Sequence, residues 1–472
     1  MTRWTKSALK ASAAALALSA SPLAAVTTAQ ASTITSFTAG DLVVTVEGDG
    51  GGTGSYLDNQ AAPLTLYEFT PSNNGGALSA NLAGSFVLPQ TGSGANSPIS
   101  GEYGSSSEGT LQLSGNGEYL TLMGYGVNAN SYNSTQDVGG TGTALAQSSS
   151  SSVPRVVALI GANGSVNTTT ALTNVFNGNN PRSAWTQNGT SFYVSGQGTS
   201  GDTTGGVFTA TLGAHTATQL TGADTVSNGV PANQDTRVVQ QYNGQTYVSI
   251  DSKQGSGHNR AGIFTIASNG TLTALPGMTT GKVTLNGSNG NSVNHSSGSV
   301  DISPDGFFFA NADTLYVADT GSPKIGSTLG DGGLQKWSLT GSGNSATWVL
   351  DYTLSSGLNL VANTAASGST GLYALTGEVV GGNVELFATN YTIGDTDQTY
   401  LYGITDALAN LSAPSNETFY QLAVAPNDTT FKGVSFAPVS PAPLPGSLPM
   451  FLAALLGVAG LGVWKTRRNT EV

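Results

Sequence analysis

Tight turns between runs of alternating apolar and polar residues recur along this chain, and they constrain its fold more than any other feature of the sequence. The turn centres are Asn116-Gly117, Asn188-Gly189, Asn243-Gly244, Asp305-Gly306 and Gly381-Gly382. A two-residue β-hairpin turn of the commonest type needs positive φ at both central positions, which Asn, Asp and Gly tolerate. The pattern therefore predicts a protein made of antiparallel hairpins.

A second hairpin follows each of these turns in some form, so each unit is expected to contain four short antiparallel strands. Tyr193, Tyr247 and Tyr316 mark equivalent points on the second strand of three units. The units are about 54 to 71 residues apart, a spacing that with four strands per unit is typical of β-propeller blades. The 64 Gly residues and the charged fraction of only 9% suit short strands and turns better than long helices.

The number of blades depends on how the chain ends meet. A lone strand-like segment at 429–438 remains after the last four-strand set, and as the innermost strand of the first blade it would leave no unpaired edge in the ring. We therefore expect an all-β propeller over residues 32–438, with six four-stranded blades and the first blade closed by the C-terminal strand. A seven-bladed propeller is one alternative, because residues 281–298 can hold an extra hairpin. A two-domain β-sandwich is the other alternative.

The sequence "LYVADTG", residues 315–321, resembles the blade core of NHL-type and related bacterial propellers. The resemblance covers one unit well and two others loosely. It implies a fold and no particular activity, because propellers of this kind include enzymes, binding proteins and scaffolds.

Both ends of the chain are predicted to be targeting segments. Residues 1–31 have the basic start, the apolar middle and the small residues Ala29 and Ala31 of a secretory signal peptide, so signal peptidase is an expected partner. At the other end, a Pro-rich linker at 439–447 precedes an apolar helix at 448–464 and a basic tail at 465–472. This arrangement predicts a membrane-spanning helix with a positive cytoplasmic end.

The C-terminal tail also resembles the PEP-CTERM sorting signals, in their Pro-Leu-Pro variant. The matching residues are Pro443, Leu444, Pro445, Gly446, Arg467 and Arg468. The resemblance covers about the last 30 residues and implies removal of the tail by an exosortase-like sorting enzyme. The protein would then be exported to the cell surface or extracellular space, anchored in the membrane only transiently through this helix. A permanent single-pass anchor is the alternative.

Charge and cysteine content exclude several kinds of function. The chain contains no Cys, which excludes disulfides, thiol catalysis and Cys-based zinc sites. Its net charge is −12, and removal of both targeting segments would leave about −17. A chain this acidic should repel nucleic acids and anionic lipid, so no nucleic-acid partner is expected.

Seven aspartates and one lysine in the loops after the second strand of each unit are the candidate ligand or metal residues. In a propeller these equivalent loops meet at one end. The residues are Asp319, Lys324, Asp331, Asp202, Asp251, Asp395, Asp397 and Asp49. Their carboxylates suit Ca²⁺, although the loops lack the EF-hand pattern, and Asp and Gly also stabilise ordinary turns. No cofactor is therefore assigned, and Ca²⁺ is the one possible cofactor considered.

The sequence shows no catalytic motif: the GxSxG and Walker patterns are absent, and the three His residues have no metal-binding spacing. Enzymatic activity is left open, but a non-catalytic binding or extracellular-matrix component is favoured. One alternative is a metal-dependent six-bladed hydrolase or lactonase. Another is a calcium-dependent binder of surface polysaccharide, for which Tyr56, Tyr125 and Tyr132 are the loop aromatics able to stack on a sugar. A surface protein is the other expected partner.

Overall fold

The computed structural model describes residues 32–48, 56–135, 144–199, 202–221, 235–252, 260–278, 282–284, 299–322, 332–362 and 365–441. Outside these residues lie the signal peptide, Asp49, Lys324, Asp331 and the sorting tail from Ala442 onward, together with the predicted C-terminal helix. Within the described residues, no helix is both long enough and apolar enough to cross a membrane.

The first third of the described chain forms a nine-stranded antiparallel sheet together with the last strand of the fold. Its strands are β1 (Leu42–Glu47), β2 (Ala61–Asn74), β3 (Ala77–Val87), β4 (Ser100–Glu102), β5 (Gln112–Leu113), β6 (Tyr119–Tyr125), β7 (Arg155–Gly161) and β8 (Val166–Leu172). One short helix, α1 (Ala129–Thr135), lies between β6 and β7. The residues of β1, "LVVTVE", are all buried, as expected for a strand covered on both faces.

The next part of the chain contains two four-stranded antiparallel sheets and one isolated strand pair. The first sheet consists of β9 (Pro181–Trp185), β10 (Ser191–Gly196), β11 (Gly206–Thr211) and β12 (Thr218–Gln219). The second consists of β13 (Thr236–Tyr242), β14 (Gln245–Ser252), β15 (Arg260–Ile266) and β16 (Leu272–Ala274). The pair is β17 (Lys282–Thr284) with β18 (Ser299–Asp301), in the region that the sequence left open for an extra hairpin.

Two more four-stranded sheets and the closing strand complete the fold. One sheet consists of β19 (Pro304–Asn311), β20 (Thr314–Asp319), β21 (Gly333–Thr340) and β22 (Thr347–Leu354). The other consists of β23 (Ser369–Val380), β24 (Asn383–Thr392), β25 (Tyr400–Ala407) and β26 (Tyr420–Val424). The last strand, β27 (Thr430–Phe436), pairs antiparallel with β1 at one end of the nine-stranded sheet.

The prediction of an all-β, propeller-like protein is confirmed, but the expected number of separate blades is not what the described residues show. Four four-stranded sheets stand apart, against six or seven predicted. The difference lies in the nine-stranded sheet. The first residues of the long strand β2 pair with β4, and β4 also pairs with β6 through Ser100 and Tyr125. These contacts join strands that were expected to form two blades.

The turns explain most of the strand boundaries, with one correction. Asn243 and Gly244 have φ of 48° and 78°, as the predicted hairpin turn requires. Asp305 and Gly306, predicted to form a turn, instead lie inside β19. A Cβ on Gly306 would stand 2.6 Å from the backbone nitrogen of Leu375, so this glycine allows β19 to approach the neighbouring sheet.

The core lies between adjacent sheets, where side chains of two sheets interdigitate. Tyr316 of β20 packs with Leu372 and Leu386 of the last sheet, and Trp337 of β21 packs with Ile263 of β15. Aromatic residues in the strands therefore fill the spaces between sheets. The innermost strands β9, β13, β19 and β23 contact one another in succession. Strand β23 also contacts β27, β27 contacts β5, and β5 contacts β9.

Candidate functional site

Strand pairing brings the start of each innermost strand next to the end of the second strand of the same sheet. Pro181 lies opposite Gly196, Pro304 opposite Asp319, and Ser369 opposite Thr392. The loops after the second strands, where the sequence placed its candidate residues, thus leave each sheet at the edge where the innermost strand begins. We call this edge the loop end. Most of the buried charged side chains of the innermost strands lie here.

The first group of buried charges at the loop end contains two arginines and three aspartates. We name Arg182, Asp235, Arg237, Asp251 and Asp305 the arginine cluster. Arg237 lies 2.8 Å from Asp305 (Nη1 to Oδ2), 3.1 Å from Asp235 (Nε to Oδ1) and 3.9 Å from Asp251 (Nη2 to Oδ2). Arg182 also contacts Asp235. Every member is buried, so each charge in this cluster is compensated by protein.

Burial and pairing compete in setting the pKa values of the arginine cluster. Burial raises the pKa of Asp305 to about 6, against the opposing effect of Arg237 and Arg182. Burial, together with repulsion from Arg237, lowers the pKa of Arg182 to about 9. Burial also acts to lower the pKa of Arg237, but Asp305 and Asp251 outweigh it and the pKa is raised. Arg237 is therefore the firmly charged centre on which the aspartates depend.

Two of the predicted loop residues, Asp251 and Asp319, come together through Ser303. The Ser303 hydroxyl donates to Asp251 (2.7 Å), and the Ser303 backbone nitrogen donates to Asp319 (2.9 Å). Asp319 also accepts from the backbone nitrogen of Gly321 (2.9 Å) and from the Gln335 amide (2.8 Å). Both carboxylates are fully buried, so they hold β14, β20 and the segment before β19 together beneath the loops.

A second group of buried charges lies near the start of β27 and is rich in glutamate. We name Glu47, Glu102, Glu108, Tyr125 and Lys432 the glutamate cluster. Lys432 Nζ lies 3.4 Å from Glu47 Oε2, whereas Glu47 Oε1 has no hydrogen-bond partner within the described chain. Tyr125 donates to Glu108. The cluster thus contains three carboxyl groups and one lysine. Arg155 is stacked on the Tyr125 ring, 4.8 Å from its centroid.

The carboxyl groups of the glutamate cluster have strongly raised pKa values. Burial, with repulsion from Glu108, raises the pKa of Glu47 to about 8 against the attraction of Lys432. Burial and Glu108 raise the pKa of Glu102 to about 9. Burial also raises the pKa of Glu108. At neutral pH Glu47 and Glu102 therefore hold protons that exposed glutamates would release.

The sequence did not reveal the glutamate cluster. Its members come from positions 47, 102, 108, 125 and 432, and no local motif connects them. The one available signal was the glutamate that ends the apolar run "LVVTVE" in β1, since a charged residue in a fully buried strand requires a partner. Tyr125, expected as an exposed aromatic, is buried in this cluster instead.

The loop end also contains an open polar pocket in the last sheet, with a volume of about 300 Å³. We name it the last-sheet pocket. Its lining includes Asn359, Asp397, Gln398, Tyr400 and Gln421. Of these, the sequence singled out only Asp397. Tyr400 was missed because it begins a strand rather than lying in a loop.

The other predicted residues lie apart from one another. Asp202 accepts hydrogen bonds from the Thr204 backbone nitrogen (2.9 Å) and hydroxyl (2.8 Å), which is local turn chemistry. Burial, with repulsion from Asp58, raises the pKa of Asp395. Within the described ranges, no three His, Asp or Glu side chains are grouped so that they could hold a metal ion.

The strand pairing defines an all-β protein of propeller-like architecture, and comparisons with known proteins add little to it. No protein-family model matches the chain, and no curated protein matches it. Among solved structures, Citrobacter koseri AztD is similar with a TM-score of 0.28 and 11% identity, covering 85% of this chain and all of that one.

Two further solved structures match with similarly low TM-scores. The β-propeller domain of Myceliophteria thermophila Cps50 (Swd1) has a TM-score of 0.29 and 10% identity, covering 68% of this chain and 98% of that chain. An ACO/RPE65 chimera has a TM-score of 0.24 and 11% identity, covering 80% of this chain and 60% of that chain. TM-scores this low carry no argument about function.

Proposed function

We propose that this protein is an exported β-propeller that acts as a non-catalytic binding component at the cell surface or in the extracellular matrix. The proposal rests on one observation: the buried charged side chains at the loop end are paired with other protein groups. Arg237 is bound by Asp235, Asp251 and Asp305, and Asp319 accepts three hydrogen bonds from its surroundings. Side chains committed in this way stiffen the base of the loops, which suits a rigid surface for binding.

The proposal includes six blades, with β27 closing the first. Its support is the pairing within the nine-stranded sheet. The order β27-β1-β2-β3 forms one four-stranded set, and β5-β6-β7-β8 forms another. With the four separate sheets this makes six sets. The contacts from β23 to β27, from β27 to β5 and from β5 to β9 join their innermost strands in a ring.

Export and sorting belong to the same proposal and rest on the two ends of the sequence. Signal peptidase would cut after Ala31, and an exosortase-like enzyme would remove the tail near Gly446. Mass spectrometry of the native surface form should then detect no peptide beyond about Gly446. Recovery of the "WKTRR" end would instead support a retained anchor.

The non-catalytic role is tested by activity and by metal dependence, both measured on the full chain. We expect no hydrolysis above the buffer rate for a panel of lactones and phosphoesters. We also expect the same thermal midpoint in EDTA, Ca²⁺ and Mg²⁺, because a metal bound to the native state would raise the midpoint by mass action. Clear hydrolysis would replace the proposal with the hydrolase alternative. A midpoint raised by Ca²⁺ alone, without hydrolysis, would support the calcium-dependent polysaccharide binder.

A further inference from the structure

The last-sheet pocket is formed by two walls that the fold holds in place. One wall is the connection from β22 to β23, which includes Asn359 and Gly368, and the other consists of the start of β25 and part of β26. Asn390 links the walls: its side chain donates to the Ser369 hydroxyl (2.7 Å) and accepts from the Tyr400 backbone nitrogen (2.7 Å). Because Asn390 is buried, this link is shielded from solvent.

Asp397 is oriented within the pocket by backbone hydrogen bonds. Its Oδ2 accepts from the backbone nitrogens of Gly368 and Gly394, both at 2.9 Å. Both bonds use the same oxygen, which leaves Oδ1 as an acceptor for a ligand. Two donors from different segments also fix the plane of the carboxylate before any ligand arrives, which lowers the entropy cost of binding.

The remaining lining groups determine the chemistry of the ligand. Asn359, Gln398 and Gln421 carry amides that both donate and accept hydrogen bonds, and Tyr400 adds an aromatic ring with a hydroxyl. No Lys or Arg is among the lining residues, so an anionic ligand would meet Asp397 without a compensating charge. A neutral ligand with several hydroxyl groups and an apolar ring face matches this combination of groups.

The floor and size of the pocket fit the same class of ligand. Leu358 and Tyr402, both buried, provide apolar surface beneath the polar rim. The volume of about 300 Å³ is at the lower end of the range for small-molecule sites, roughly 300 to 1,000 Å³. Asn359 has φ of 52°, an uncommon backbone conformation that this connection maintains at the pocket rim.

We propose that the last-sheet pocket binds one neutral sugar residue of a glycan, with Asp397 and the amides of Asn359 and Gln421 recognising its hydroxyl groups and Tyr400 contacting its ring. This inference rests on the proposed function, because it gives the binding propeller a ligand class and a site. It places recognition in the last sheet and not on the buried clusters of the inner strands.

The test is titration calorimetry of the full chain with the methyl glycosides of glucose, mannose and galactose and with N-acetylglucosamine. We expect at least one sugar to bind with a dissociation constant of about 1 mM. Asn359→Gly and Gln421→Ala should each raise the dissociation constant of that sugar about tenfold or more. Glycine accepts the positive φ at position 359, so the first variant removes the amide without straining the backbone.

The matched control is Asn243→Gly, which alters another Asn of positive φ in a hairpin turn away from the pocket. Its sugar affinity should equal that of the wild type. The inference is overturned if no sugar binds the wild type at tens of millimolar, or if the pocket variants bind as tightly as the control. Either result leaves the non-catalytic binding function standing, whereas cleavage of a glycoside by the wild type would remove that function itself.

Discussion

The arginine cluster and the glutamate cluster both bury charges where the innermost strands begin, but they are stabilised differently. In the arginine cluster, two guanidinium groups face three aspartates, and Arg237 alone lies within 4 Å of each of them. In the glutamate cluster, Lys432 pairs with Glu47, and burial raises the pKa of all three carboxyl groups. One region is stabilised by ion pairing and the other by protonation, so mutation and pH should separate them.

The largest expected effect comes from breaking the arginine cluster. Arg237→Met should lower the free energy of unfolding by about 3–5 kcal/mol, because it leaves Asp235, Asp251 and Asp305 buried without their common partner. Denaturant titration of the variant against the wild type measures this loss. Arg237→Lys keeps the charge and should lose less. A loss below about 1 kcal/mol for Arg237→Met would mean that the aspartates find other compensation.

A smaller effect is expected at Asp319, a buried aspartate that connects different segments of the fold. The comparison is with an aspartate that stabilises only its own turn. Asp319→Asn replaces an oxygen that accepts from Ser303, Gly321 or Gln335 with a donor, and should cost about 1–3 kcal/mol. The matched control is Asp202→Asn, in the corresponding loop of an earlier sheet, where the carboxylate bonds to Thr204 of its own turn. Equal losses at the two positions would contradict the distinction.

The glutamate cluster should make the free energy of unfolding depend on pH. Glu47 and Glu102 have folded-state pKa values of about 8 and 9, above the ordinary 4.5, so the folded state holds protons that the unfolded state releases. Their contribution to stability is complete below about pH 4.5 and is lost as the pH rises through 8 and 9. Each group adds a slope of up to about 1.4 kcal/mol per pH unit. The free energy of unfolding should therefore fall from pH 6 to pH 8.

Glu102→Gln tests the assignment of this slope. A glutamine resembles the protonated glutamate in both the folded and the unfolded state. The variant should therefore match the wild type near pH 4, become more stable than the wild type as the pH rises, and show a smaller pH slope. The control, Glu118→Gln, alters a glutamate in the partly exposed turn before β6 and should leave the slope unchanged. Glu417, with a pKa raised to about 8 by burial, and Asp305 contribute slopes of the same sign in every variant. An unchanged slope in Glu102→Gln would show that the protons are held elsewhere.

The sequence determined the local structure through the properties of its turns and strands. Asn243-Gly244 forms a hairpin turn with positive φ at both residues, and Gly381-Gly382 forms one in which Gly381 has positive φ. Alternating apolar runs placed Tyr316 and Trp337 between sheets. The same local reasoning was wrong for Asp305-Gly306, where the glycine serves a close approach of β19 to β23. A turn signal cannot reveal such a contact, because it depends on a segment about 70 residues away.

Only the tertiary structure decided what the acidic residues do. Asp251 and Asp319 were expected in loops but lie at the ends of strands β14 and β20. Both turn inward because Arg237, Ser303 and Gln335 meet them there. Glu47 and Lys432 lie almost a full chain length apart and become partners when β27 pairs with β1. Turns and strand periodicity follow from neighbouring residues, whereas charge pairing and the last-sheet pocket depend on how the sheets pack. That physical difference explains why the fold class could be read from the sequence and the sites could not.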